Sequence, residues 1–250
     1  MSEAFVKRVN ELAKKSDSRI VLAIDYDFNP YKFKLREQRL ETRIKTLDQA
    51  KELLAQLEGL IAGVKVGIPM MFSLGLDIVE EIISSSKENY FFICDSKMAD
   101  IGHINRLVAA QLFEVGFDAL IIHAAIGEKG GLDEVVNLAN EMGKGVLGLC
   151  AMTHPGASEH LNKHIDELLS IAASAGVDGY VLPATYPQLI TKARATYPST
   201  LILSPGVGTQ GAGFGSAISA GADFEIIGRS IAQDPSPAKK AKEIRREMRK

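Results

Sequence analysis

Residues 91 to 101 read Phe-Phe-Ile-Cys-Asp-Ser-Lys-Met-Ala-Asp-Ile, an apolar run that ends in two acids and a lysine. Side chains two apart on a strand share a face, so Asp95 and Lys97 point the same way if the strand stays regular. Asp100 follows just beyond, and Lys65 comes from the preceding apolar run. These four residues can form an alternating Lys-Asp-Lys-Asp cluster. One such charge buried alone is costly, whereas alternation lets each charge hold its neighbours ionised. Salt bridges without catalytic duty also exist, but four charges gathered at one cleft mark a candidate active site.

A second constellation lies towards the carboxyl end of the chain. Ser204-Pro-Gly-Val-Gly-Thr-Gln-Gly-Ala-Gly-Phe-Gly215 is a glycine-rich stretch after one apolar run, and Gly228-Arg229 follow the next run. Backbone N–H groups, a helix N-terminus and a basic side chain together suit a phosphate. A glycine-rich loop alone is a weak signal. Its pairing with Gly228 and Arg229 in the following unit strengthens it.

The elements that must position these groups repeat along the chain. Eight short apolar runs occur at 19–25, 62–67, 90–97, 118–124, 145–151, 179–183, 201–205 and 224–228. Helix-like stretches lie around 46–58, 75–86, 103–115, 131–142, 160–175, 186–196, 212–220 and 235–249, and a short N-terminal helix carries Phe5, Val9 and Leu12 on one face. Continuous apolar strands separated by helices imply a parallel sheet covered on its faces. Eight such units predict an α/β fold, a (β/α)₈ TIM barrel forming a single domain over 1–250; an open doubly wound sheet is the alternative. Active sites in this architecture sit at the carboxyl ends of the strands. Asp25, Lys65, Asp95, Lys97, His123, Thr153, His154, Ser204, Pro205, Gly228 and Arg229 all fall there.

Other features carry less. Thr185 and Gln188 have the spacing of a capping box, which predicts Thr185 as a helix N-cap. His160 and His164 stand four apart on an expected helix, and the sequence supplies no further ligand, so a surface face is expected rather than a metal site. His123 reads as a hydrogen-bonded core histidine. Segment 26–45 is long for a connection and reads as an exposed, charged flap. No linker, low-complexity tract or sequence repeat divides the chain.

A net charge of −2 offers no long-range attraction to nucleic acid or to an acidic membrane surface. No run reaches the roughly 18 apolar residues needed to span a bilayer. Cys94 and Cys150 lie in apolar runs and cannot build a disulfide framework. The expectation is a cytoplasmic protein acting on a small molecule.

With Asp95-x-Lys97-x-x-Asp100-Ile101, Thr153-His-Pro-Gly156, Pro205-Gly-Val-Gly-Thr-Gln-Gly211 and Gly228-Arg-Ser-Ile231 in order, residues from about 20 to 235 resemble the orotidine 5′-phosphate decarboxylases. The resemblance implies conversion of orotidine 5′-monophosphate (OMP) to UMP and CO₂ in de novo pyrimidine biosynthesis, with no cofactor and no metal, by a homodimer. It implies that Asp25 and Lys65 bind the ribose hydroxyls and that Lys65 also holds Asp95. Asp95 would stand beside the substrate carboxylate, and Lys97 would protonate C6. Asp100 would reach across the dimer interface to the partner's ribose and Lys97. Thr153 would meet the pyrimidine edge, Pro205 would line the site, and Gln210 would bridge base and phosphate. Arg229 and the Gly228 backbone would grip the phosphate. Ile104 departs from the family pattern, which has a threonine there. Two alternatives are a sister decarboxylase of keto-sugar phosphates that uses Mg²⁺, and a non-catalytic barrel that senses a pyrimidine nucleotide.

Overall fold

The apolar runs form strands in one closed parallel barrel, ordered β1 to β8 in chain order with β8 returning to β1. The computed structural model describes residues 2–25 and 35–249. The strands are β1 (Ile20–Ala23), β2 (Gly63–Gly67), β3 (Phe91–Met98), β4 (Ala119–His123), β5 (Gly145–Leu149), β6 (Gly179–Val181), β7 (Leu201–Pro205) and β8 (Phe224–Ile227). The helices are α1 (Glu3–Ser16), α2 (Arg36–Gln56), α3 (Ile68–Leu74), α4 (Leu76–Ser86), α5 (Gly102–Glu114), α6 (Asp133–Met142), α7 (Ile165–Ala175), α8 (Pro187–Thr196), α9 (Ser216–Ser219), α10 (Arg229–Ala232) and α11 (Pro237–Glu247). Among the described residues, no helix is long and apolar enough to cross a membrane.

Alternation along each strand divides the core in two. Val21, Phe91, Ile93, Ile121, Leu147 and Ile226 belong to the cluster inside the barrel, whereas Leu22, Val64, Phe92, Leu120, Ile202 and Ile227 pack outward against the helices. Phe91 meets Phe224 edge to face at 5.5 Å inside. Helix α1 adds Phe5, Val9 and Leu12 to the interior cluster, so it closes the amino end of the barrel. Its Arg8 holds Asp118, and the Ser2 amide donates to Asp178, both at the starts of strands.

A short motif recurs at that end, too brief to register as a sequence repeat. Gly116-Phe-Asp118, Gly176-Val-Asp178 and Gly221-Ala-Asp223 precede β4, β6 and β8. Each glycine has φ between +79° and +110°, which lets the preceding helix stop. Each aspartate then bonds one residue of the preceding strand twice. The N–H groups of Phe92, Val146 and Ile202 donate to the Asp118, Asp178 and Asp223 carboxylates, each at 2.8 Å. Their carbonyls accept the aspartate N–H groups at 2.8–2.9 Å.

Several sequence expectations need correction. Helix α2 begins at Arg36, ten residues before the expected 46. Of the expected flap at 26–45, residues 26–34 lie outside the described residues, and 35–41 are exposed. Thr185 is not a cap: Tyr186 holds the N-cap position of α8, and among the described residues no side chain bonds there and the buried Thr185 hydroxyl has no partner. The helix expected at 212–220 shrinks to Ser216–Ser219 because the residues before it bond to their own loop.

Candidate active site

Strand β3 pairs regularly with β2 as far as Gly67 opposite Asp95. Against β4 it does not. Cys94 lies opposite Leu120 but Met98 lies opposite Ile122, so four steps of β3 match two of β4. Lys97 sits in this bulge with φ +47°. The left-handed conformation costs a non-glycine residue roughly 1–2 kcal/mol, and such strain concentrates where a side chain must be aimed. The premise of a regular strand fails at Lys97, yet the pair forms: its Nζ donates to Asp95 Oδ1 at 2.6 Å.

From that pair the charges alternate inward. Asp95 Oδ2 lies 3.2 Å from Lys65 Nζ, which lies 2.5 Å from Asp25 Oδ2. The other Asp25 oxygen accepts the Gly67 N–H at 2.9 Å. Any Cβ on Gly67 would fall 2.4 Å from that oxygen, so the glycine after Lys65-Val is required by the close approach of Asp25. Lys65, the most enclosed of the four at 9% side-chain exposure, bridges both carboxylates. Burial pulls its pKa down, but Asp95 and Asp25 outweigh burial and hold it above the ordinary lysine value. Burial likewise pushes Asp95 up, and Lys65 with Lys97 overcomes it, so Asp95 lies below the ordinary carboxylate range. Both groups are therefore charged at neutral pH.

These residues line one side of a cavity of about 380 Å³, within the usual range for a small-molecule site. Ile121, Leu149, Val181 and Ile226 give it apolar walls from inside the barrel, while Thr153, Pro205, Gln210, Gly228 and Arg229 also border it. Nine of the ten site residues expected from the sequence thus meet in one place. The glycine-rich stretch is folded back on itself: Gly208 N–H donates to Ala212 at 2.8 Å, and Ala212 N–H to Gly206 at 3.2 Å. Across the gap to the β8 loop, the Thr209 and Ser230 hydroxyls lie 3.3 Å apart. The cavity accordingly has an ammonium–carboxylate cluster in one part and backbone amides with a guanidinium in another. A ligand carrying a sugar and a phosphate fits that division.

Asp100 is the residue left out. It is exposed, its carboxylate accepts the Ile101 N–H at 2.7 Å, and among the described residues it makes no ion pair. Asn105 fixes the turn by accepting the Asp100 N–H and donating to its carbonyl. Exposed apolar side chains include the adjacent Ile101 and, on the following helix α5, Leu107 and Val108; Ile68 and Phe72 in α3 are exposed as well, Phe72 at 86%. His123 lies at the inner end of β4, half-buried, with no hydrogen-bond partner among the described residues, contrary to the expected bonded core histidine. Burial lowers its pKa, and Lys97 adds to the effect. His160 and His164 are exposed as expected, on short 3₁₀ turns rather than one α-helix. Sequence reasoning missed Gly67 and the Gln233 side of the cavity. For Gly67 the signal was present, a glycine two residues past the strand-end lysine.

Comparison with known proteins gives a consistent result. Residues 18–244 match the family described as Orotidine 5′-phosphate decarboxylase / HUMPS family. The orotidine 5′-phosphate decarboxylase of Aeropyrum pernix is 41% identical over 192 residues, covering 76% of this chain and 78% of that protein. The crystal structure of orotidine 5′-monophosphate decarboxylase from Sulfolobus solfataricus superposes with a TM-score of 0.76 at 29% identity, covering 93% of this chain and 98% of the other. The Methanocaldococcus jannaschii enzyme complexed with the inhibitor BMP superposes with a TM-score of 0.78 at 26% identity, covering 93% and 99%.

Proposed function

This chain belongs to the orotidine 5′-phosphate decarboxylase / HUMPS family, and from that premise we propose that it converts OMP to UMP and CO₂ in de novo pyrimidine biosynthesis, with Lys97 as the proton donor to C6. The observation that carries this reading is the alternating chain Asp25–Lys65–Asp95–Lys97 on the wall of a cavity that also holds Gly228 and Arg229.

Loss of CO₂ leaves an electron pair on a ring carbon with no adjacent carbonyl to absorb it, so the barrier is electrostatic. A fixed ammonium aimed at that carbon stabilises the developing charge and then quenches it by proton transfer. Lys97 supplies this ammonium, and Asp95, held ionised, orients it. No cofactor is needed for such a step. Asp25 and Lys65 take the ribose hydroxyls, and Thr153 meets the pyrimidine edge. Pro205 lines the site. Gln210 spans base and phosphate, and Arg229 with the Gly228 amide holds the phosphate. Binding energy at the phosphate, remote from C6, is then available to align the reacting end.

We further propose a homodimer in which Asp100 completes the partner's site. Its exposed position beside Ile101, with Leu107 and Val108 exposed on the helix that follows, supports this, because large apolar side chains left in water are common at interaction surfaces. The hydroxyl contact that relatives make four residues later is absent at Ile104. The Mg²⁺-dependent sister reaction is disfavoured because both Asp25 and Asp95 are already paired to ammonium groups.

The direct test is decarboxylation of OMP followed at the pyrimidine absorbance band, with and without EDTA. Turnover that survives the chelator is expected; turnover abolished by it points to the sister chemistry. Mixing Lys97→Ala with Asp100→Ala, each inactive alone, tests the shared site. Random pairing should restore roughly a quarter of the intact sites if Asp100 acts across the interface, and none if it acts within its own chain.

A further inference from the structure

We propose that Glu225 is a positioning residue for phosphate recognition, holding the far base of the glycine-rich loop in register with Arg229. This rests on the functional reading above, in which the loop and Arg229 grip the substrate phosphate.

Glu225 lies in β8 between Phe224 and Ile226, whose side chains face the barrel interior. Its own side chain therefore faces outward, where the neighbouring strands place Ile20 and Ser204 opposite it, and it is 0% exposed. Burying a carboxylate there is expensive unless every oxygen finds a donor. The donors are backbone amides. Gly215 N–H reaches Oε2 at 3.0 Å and Ala217 N–H reaches Oε1 at 2.9 Å, with the Ile218 amide adding to the hold. Burial still pushes the pKa of the group up. An aliphatic residue would fill the same space without that cost, so the carboxylate marks a demand for the position of residues 215–218.

That position is the end of the loop that begins at Pro205. Gly215 has φ +82°, and a Cβ on it would come within 3.1 Å of the Met248 backbone, so its conformation and surroundings are both fixed. The tip differs: Gly211 and Gly213 have open space around them. Three and four residues after Glu225, the same strand delivers Gly228 and Arg229 to the cavity. Glu225 thus ties the two halves of the phosphate grip through one strand, leaving the tip free to close on a ligand.

The test compares OMP with phosphate-free orotidine in wild-type enzyme and in Glu225→Gln, whose amide keeps the shape but turns one acceptor into a donor facing an N–H. The expected result is a kcat/KM for OMP lowered about tenfold or more, the scale of one buried hydrogen bond lost. For orotidine the same variant should stay within about twofold, since that substrate leaves the grip unused. Glu225→Asp, which keeps the charge, should recover part of the loss. Equal losses on both substrates, or full activity on OMP, overturn the proposal. If the glutamine variant does not fold, the aspartate variant is judged by the same ratio between substrates. A wild-type enzyme that handles OMP no better than orotidine would sink the phosphate reading itself, a separate outcome.

Discussion

The barrel places hydrogen-bonded carboxylates at both of its ends, and the two sets differ in what holds them. At the amino end Asp118, Asp178 and Asp223 each accept an N–H group of the preceding strand, and Asp118 and Asp223 also pair with Arg8 and Arg194. At the carboxyl end Asp25 and Asp95 accept from the ammonium groups of Lys65 and Lys97. An amide donor is part of the backbone and cannot leave, so a carboxylate bound to it fastens one element to another. An ammonium rides on a flexible stem and can exchange partners with a ligand. On the proposed function the same residue type therefore serves stability at one end and chemistry at the other.

Swapping the lesion between ends should separate the two roles most strongly. Lys97→Ala is expected to lower kcat by about 10³-fold or more, roughly 4 kcal/mol of transition-state stabilisation, while the melting curve changes little. Asp178→Ala should do the reverse, costing about 1–3 kcal/mol of unfolding free energy by orphaning buried donors, with kcat within about twofold. Steady-state kinetics and denaturant melts on both proteins check this; a stable but inactive Asp178 variant would erase the distinction.

A smaller effect is expected at Gly67. The methyl of Gly67→Ala collides with Asp25, and misplacing a substrate-holding group by about 1 Å can cost up to roughly a hundredfold in kcat/KM. Wild-type kinetics from this variant would mean that the Asp25–Lys65 contact is not needed.

The finest test is the pH dependence of stability, because Asp95 and Asp178 are shifted in opposite directions. Asp95 titrates below its ordinary value of 3.8, so its contribution is present above that value and is lost as pH falls through the lower, folded-state pKa. Asp178 is pushed above 3.8 by burial, despite amides from Val146 and Ser2, so the stability it contributes at low pH is lost as pH rises through its raised pKa. The stability gap between wild type and Asp95→Asn should therefore narrow on acidification, and that for Asp178→Asn should narrow on the way back to neutral. Gaps that move together would show that the two groups are not shifted in opposite directions.

Much of this was legible in the sequence for a physical reason. Strands buried on both faces read as continuous apolar runs, so all eight were visible, and nine of the ten site residues expected at or after their carboxyl ends do border the cavity. What stayed hidden depended on contacts distant in the chain. The bulge that turns Lys97 follows from the mismatch between β3 and β4 and has no local signature. The early start of α2 was masked by a charged, weakly amphipathic stretch, and α3 and α10 are too short to show a period. The duty of Glu225 depends on amides ten and eight residues upstream, and a lone acid in an apolar run gave no hint of them.

Helix α1 seals the amino end with Phe5, Val9 and Leu12 under layers of packed side chains. With that end plugged, the cavity borders the loops that follow the strands, so on the proposed chemistry those loops govern both the arrival of the nucleotide and the departure of carbon dioxide.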